Sequence, residues 1–407
     1  MKIAILSYRS HPFSGGQGIY VRHLSHSLVN LGHEVHIISG PPYPQVRKEV
    51  NLIKIPSLDL FSVENRFKAF SLNFLFSPID LFEWIGIMTG GFPEPYTFGK
   101  RVKKFLKSTE LQFDVILDNQ SLCYELIGIQ EGYPLVTTIH HPITKDLKLE
   151  LESSANWKER LSTNRWHGFL RMQKKVAPKL KSIICVSYQS KFDVEKEFLV
   201  SEDKIEMIWN GIDIHTFKLR DKSKVIKNRI VTTASADIPL KGLKYLIHSM
   251  PSVLQVFPET SLDVIGKSSS NSSIRELIDN LNLTEKITFH SNLTESEVVD
   301  VYSSAEIAVI PSLYEGFGFG AGEAMSCGVP LISTTSGGLK EVIGDAAIKI
   351  ESESPNSISE AVIDLFSNEE KQIIYSKMGR ERVEKEFHWD SAAAKYIEVF
   401  KRAIDDF

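Results

Sequence analysis

The sequence predicts an α/β fold made of two doubly wound, mainly parallel sheets. The apolar run Ile3–Ser7, a glycine-bearing loop at His11–Gln17, a helix to about Leu31 and the apolar run His33–Ser39 form a strand–loop–helix–strand unit. The same order returns between Glu306 and Ser333, where an apolar run, a glycine loop, a short helix and another apolar run follow one another. At 407 residues the chain is too long for one ordinary core, so two domains of near-equal size are expected.

In the first helix Val21, Leu24, Leu28 and Leu31 recur at helical spacing, and Gly32 stops it. Residues Pro56–Gly99 are rich in Phe and Leu and broken by Pro78, Pro93 and Pro95. They read as an acceptor-side insertion, a lid or a patch resting on lipid. The helix Lys100–Lys107 carries five basic residues beside that aromatic stretch, a pattern shared by membrane-surface helices and by core-facing helices with a solvated basic face. Phe113–Asp118 and Leu135–His140 read as further strands. His140, with His141 as its competitor, lies just past a strand end, where open α/β sheets bind ligands. Lys181–Ser187 and Ile205–Trp209 complete the first domain, and the basic, pattern-free stretch Thr216–Asn228 reads as a linker.

Arg229–Ser235 opens the second domain. Lys241 and Gly242 precede a helix from Leu243 to about Val256, and strands follow at Ser261–Gly266 and Lys286–His290. After the run Glu306–Pro311 come Glu315 and then Gly316, Gly318, Gly320 and Gly322 at alternate positions. Such glycine density suits a backbone that approaches a ligand closely. The loop feeds a helix at Ala321–Cys327, whose first amides and positive end favour an anion. Glu315 and Glu323 flank it and would accept from hydroxyl groups, so anion site and acids together describe a sugar nucleotide. Ser336, Gly337 and Gly338 open another short helix containing Glu341, and amides near Gly337 offer a second phosphate cradle.

A net charge of −4 implies no broad basic surface, so nucleic acid is not an expected partner. Cys123, Cys185 and Cys327 sit in apolar segments without paired spacing and read as reduced and buried, in a cytoplasmic setting. The N-terminal apolar run is too short for a signal peptide, and no apolar stretch is long enough to span a membrane.

The Glu315-to-Glu323 spacing, the glycines between, the EAMSCGVPLI run and the closing Gly-Gly-x-x-Glu resemble glycosyltransferase family 4. Asn210-Gly211-Ile212-Asp213 with Phe217 resembles the signature ending that family's first domain. The resemblance implies a retaining transferase of the GT-B fold, with two Rossmann-like domains facing across a cleft. It implies domains at 1–215 and 229–388, the linker 216–228, and a last helix at 389–407 that crosses back to the first domain. A nucleotide diphosphate sugar is the implied donor. Glu323 would bind the ribose, Glu315 the sugar hydroxyls, and the amides of Gly318, Phe319 and Gly320 the β-phosphate or sugar. Lys241 would meet the diphosphate, with the Gly15–Gly16 loop facing it, and His140 would sit beside the transferred sugar. Ala236 stands where the family has an arginine five residues before the lysine, so one fixed cation is absent at that position. With no Asp-x-Asp motif, no metal or other cofactor is expected. The implied acceptor is a glycan, a lipid-linked molecule or a small molecule in polysaccharide or glycolipid synthesis. The aromatic segment with its basic helix adds an expected peripheral contact at the inner membrane face. A nucleotide-sugar epimerase of the same fold, or a non-catalytic nucleotide-sugar-binding subunit, is the alternative. Epimerisation or hydrolysis without transfer separates the first, and nucleotide binding without transfer the second.

Overall fold

The structure is a computed structural model that describes residues 1–11, 16–63, 65–66, 70–154, 156–235, 238–267 and 273–407. The chain divides into two compact units, one of Met1–Trp209 with Trp389–Phe407 and one of Asn210–His388.

The first unit holds strands β1 (Lys2–Ser7), β2 (Glu34–Ser39), β3 (Asn51–Lys54), β4 (Val115–Asn119), β5 (Leu135–Ile139), β6 (Ile183–Cys185) and β7 (Ile205–Met207). Their order is β3-β2-β1-β4-β5-β6-β7, every pair parallel. Ile3 of β1 lies between Val35 and Val115, and β1 is buried from Ile3 to Leu6, as a central strand covered on both faces must be. The strand order reverses between β1 and β4. The ends of those strands therefore splay their following loops apart and leave a crevice.

The second unit repeats the plan with β8 (Arg229–Thr233), β9 (Ser261–Ile265), β10 (Ile287–His290), β11 (Ile307–Ile310), β12 (Leu331–Ser333) and β13 (Ile348–Lys349). The order is β10-β9-β8-β11-β12-β13, again parallel, with the reversal between β8 and β11. The helix Leu243–Val256 presents Leu243, Leu246, Ile247, Met250 and Val253 to this core.

Several elements differ from expectation. β3 and β13 were not anticipated, because they are edge strands of four and two residues with little apolar pattern. Within Pro56–Gly99 a 3-10 turn, Leu72–Phe76, leads into the helix Pro78–Met88, capped by Ser77 with proline at its start. The uniform apolar content of that stretch hid its helical period. The basic helix begins at Glu94, earlier than Lys100, and runs to Ser108 with Phe98, Val102 and Leu106 buried. Two of its cations are pinned: Lys100 pairs with Glu125 at 2.7 Å, and Arg101 pairs with Glu83 and Asp80. The stretch expected as a linker belongs to the second unit. Phe217 is buried there, and Arg220 donates to the carbonyls of Ala305 and Glu306. Lys218, Lys222, Lys224 and Lys227 are exposed, as a basic stretch would suggest, and it is Phe217 and Arg220 that anchor it.

In the first unit the last helix, Trp389–Asp405, packs on the helix Gly16–Asn30. Tyr20, Tyr396 and Thr138 close a buried ring of hydroxyls with separations of 2.8, 3.0 and 3.1 Å. Among the described residues no helix is long and apolar enough to cross a membrane.

Candidate active site

In the second unit the two loops at the strand reversal carry Lys241 and Glu315. The loop after β8 turns through Pro239–Lys241, and Gly242 completes it at φ +66°. An added Cβ at Gly242 would lie 2.1 Å from the Pro311 carbonyl oxygen, so only glycine lets the two loops meet. Leu313 N–H donates to the Leu240 carbonyl at 2.7 Å and ties them together. Lys241 Nζ then reaches Glu315 Oε1 at 2.7 Å, and Ser312 Oγ donates to the same oxygen at 2.8 Å. Acid and cation sit side by side, both largely shielded from solvent.

Gly318, at φ +114°, caps the helix Phe319–Ser326. The first bonds inside this helix run from Ala321 and Gly322 N–H to the Gly318 carbonyl, so Phe319 and Gly320 occupy the first turn at its positive end. The alternate glycines have packing reasons as well. An added Cβ at Gly320 would strike Thr233 Oγ1 at 2.1 Å, and one at Gly322 would strike Ile212 Cδ1 at 2.5 Å. These two bring the helix onto β8 and onto the start of the unit, a role that glycine density alone does not reveal.

Glu323 is 8% exposed, and Tyr302 Oη lies 3.4 Å from its Oε2 and 3.2 Å from the Gly320 carbonyl. Burial, and then the Glu323 charge, push the Tyr302 hydroxyl well above its ordinary value, so it stays a donor. Gly337, at φ +64°, packs against the main chain of Glu315, and Gly338 N–H donates to the Glu315 carbonyl at 2.7 Å. One amide near Gly337 is thus spent on positioning Glu315, and the helix that follows, Leu339–Ile343, is barely more than one turn.

In the first unit, His140 follows β5 beside the β1–β4 reversal. Its Nε2 lies 2.7 Å from Asn119 Oδ1, its N–H donates to Gln120 Oε1 at 2.7 Å, and its carbonyl accepts from Ser190 Oγ at 2.7 Å. Tyr20 meets the ring edge-on at 4.7 Å. His140 is half-buried as a residue, and the groups packed round its ring desolvate it. That burial, helped by His141, pushes its pKa down to about 3. His141 takes another partner, with its Nε2 2.9 Å from Asp146 Oδ2. Gly16 begins the first helix, while Gly15 and Ala236 lie outside the described residues.

The residues named from sequence therefore fall in two groups. Lys241, Glu315, Gly318, Phe319, Gly320, Glu323 and Gly337 gather in the second unit, and His140 and Gly16 lie in the first. Sequence reasoning missed Ser312, Tyr302, Thr233, Asn119 and Gln120. Asn119 and Gln120 were within reach, since they end a strand at the reversal. Tyr302 carries no local signal. Among the described residues no group of three His, Cys, Asp or Glu side chains could hold a metal ion.

Comparison with known proteins follows this division. The family model for group 1 glycosyl transferases matches residues 216–382, and that for glycosyltransferase family 4 matches residues 14–216. An MMP alpha-(1->4)-mannosyltransferase of Mycolicibacterium hassiacum is 38% identical over 99% of this chain and 98% of its own. In fold the chain is similar to a sucrose-phosphate synthase of Thermosynechococcus elongatus, with TM-score 0.76 at 18% identity and full coverage of both chains. It is likewise similar to Alr3699/HepE of Anabaena in complex with UDP and glucose, with TM-score 0.71 at 15% identity over 99% of this chain and all of that one. Two Rossmann-like units, a family match on each and an end-to-end relative lead to one conclusion: the chain belongs to glycosyltransferase family 4, the group 1 transferases, and is a retaining hexosyltransferase of the GT-B fold.

Proposed function

We propose that the enzyme moves a mannosyl group from a nucleotide diphosphate sugar to a glycan acceptor, in polysaccharide or glycolipid synthesis. The pairing of Lys241 with Glu315 at the strand reversal carries this reading. It puts an ammonium for the leaving diphosphate next to a carboxylate for the sugar hydroxyls. The mannosyl group is supported by the name of the full-length relative. Glu323, inside the helix, binds the ribose hydroxyls, and the amides of Gly318, Phe319 and Gly320 meet the β-phosphate or the sugar. His140 accepts or donates a hydrogen bond at the transferred sugar. With no enzyme nucleophile assigned, the departing diphosphate serves as base for same-face attack.

Peripheral contact with a lipid surface at the cytoplasmic face belongs to the same proposal. Leu72, Leu75, Phe76, Phe82 and Ile85 are exposed on consecutive turns, and Lys104 and Lys107 remain outward on the basic helix. The three cysteines, buried and free, support a reducing compartment.

The test is a panel of nucleotide diphosphate mannoses and glucoses, read first by thermal stabilisation and then by transfer to an α-mannan oligosaccharide. Mannosyl transfer with retained anomeric configuration supports the proposal. Stabilisation only by glucose donors overturns the choice of sugar, and binding without transfer overturns the proposed reaction.

A further inference from the structure

The loop after β4 is built around the residue that follows β5. Asn119 ends β4, and its Nδ2 donates to Ser7 Oγ at 3.2 Å across the β1–β4 reversal. Ser7 has a single hydroxyl proton, and the Arg9 carbonyl at 3.3 Å and Ser10 Oγ at 2.6 Å compete for it. A lone pair on Ser7 therefore remains for the Asn119 amide. The amide is then oriented, and its oxygen is the atom that faces His140 Nε2. An amide oxygen only accepts, so the imidazole must place its proton on Nε2.

Gln120 holds the same residue by its main chain. Its Oε1 accepts from His140 N–H, and its Nε2 donates to the His141 carbonyl, both at 2.7 Å. These partners leave the Gln120 amide no alternative orientation. Gln120 does this from φ +51°, and Leu122 follows at φ +48°. Two left-handed non-glycine residues so close together are costly, and such strain persists where the surroundings impose it. Here Asp118 imposes it, accepting from the N–H groups of Ser121 and Leu122 and from Ser121 Oγ.

We infer that Asn119 and Gln120 are positioning residues that hold His140 as the Nε2-protonated tautomer, so that Nδ1 offers its lone pair to a hydroxyl of the substrate. This rests on the reading that His140 works at the transferred sugar, and it sharpens that reading from either hydrogen-bond role to acceptor. The depressed pKa agrees, since a ring neutral across the working range keeps one donor and one acceptor. A site that accepts from one particular hydroxyl also rejects a donor sugar lacking it.

The test uses the full-length enzyme with ¹⁵N-labelled histidine and reads long-range ¹H–¹⁵N correlations, with His140→Ala giving the assignment. The wild type is expected to show His140 protonated at Nε2 alone, unchanged between pH 5 and 8. Asn119→Ala should mix the tautomers and lower kcat about 10-fold, the scale of one lost orienting hydrogen bond, with little change in donor KM. Asn119→Asp, which still accepts at that position, should restore the Nε2–H pattern and most of kcat. Thermal melts of each variant separate misfolding from mispositioning. A wild-type ring protonated at Nδ1, or an Asn119→Ala enzyme with the wild-type pattern and kcat, overturns the inference. Wild-type turnover in His140→Ala would instead remove the reading beneath it, while the nitrogen spectrum still decides the tautomer.

Discussion

Lys241 Nζ lies 2.7 Å from Glu315 Oε1, and the two side chains come from loops that follow different strands. In the proposed function the Lys241 ammonium meets the donor diphosphate beside this carboxylate. Lys241→Ala should raise the donor dissociation constant about 10- to 100-fold, the range of a lost charge-assisted hydrogen bond. Calorimetry measures it, and an unchanged constant removes the lysine from the phosphate site.

Glu315→Ala should keep the fold and lose transfer, because the Glu315 main chain still accepts from Gly338. A circular dichroism melt near that of the wild type, with turnover lowered at least about 100-fold, is the expected pair of readings. Turnover at the wild-type rate would discard the assigned role.

Gly242→Ala should destabilise the second unit by at least about 1–2 kcal/mol, the cost of a left-handed alanine, with the contact on Pro311 added to it. The melting temperature of that unit should fall by several degrees. A variant as stable as the wild type would show that the two loops can separate without cost.

Glu94 in the first unit gives a pH dependence. Burial raises its pKa from 4.5 to about 7, with the Arg9 charge opposing the rise. Its contribution to stability is therefore fully present below pH 4.5 and is lost as pH rises through 7, a change of about 3 kcal/mol at most. Denaturant midpoints of the wild type should fall between pH 5 and 8 relative to those of Glu94→Gln. Parallel curves for the two proteins would remove Glu94 as the cause.

Phe76 is 87% exposed and Leu72 70% exposed, so replacing both by serine should leave the melting temperature unchanged. Binding to anionic phospholipid vesicles should weaken about tenfold or more, given 1.5–3 kcal/mol for each large apolar side chain transferred. Equal sedimentation of wild type and variant would end the lipid-surface proposal.

Much of this protein was readable along the chain. Buried parallel strands are continuous apolar runs, and the helix Leu243–Val256 showed both of its ends. The glycine loop between Glu315 and Glu323 marked a helix start, because backbone conformation and helix starts are local properties written in neighbouring residues. Elements whose reasons are non-local were less legible. The edge strands β3 and β13 exist because a neighbour offers them hydrogen bonds. The stretch after Asn210 joins the second unit because Phe217 and Arg220 find partners there.

The sequence by itself determined the fold class, the family and the residue types of the glycine loop, all of which depend on spacing within a few tens of residues. Tertiary structure alone decided that Lys241 reaches Glu315, that Tyr302 attends Glu323, and that Asn119 and Gln120 grip His140. Lys241 and Glu315 meet because the strand order reverses between β8 and β11 and brings together two loops 74 positions apart. Tyr302 reaches Glu323 from a neighbouring helix, and Asn119 and Gln120 reach His140 because β4 and β5 pair side by side. Packing and strand pairing decide these contacts, and no local pattern encodes them.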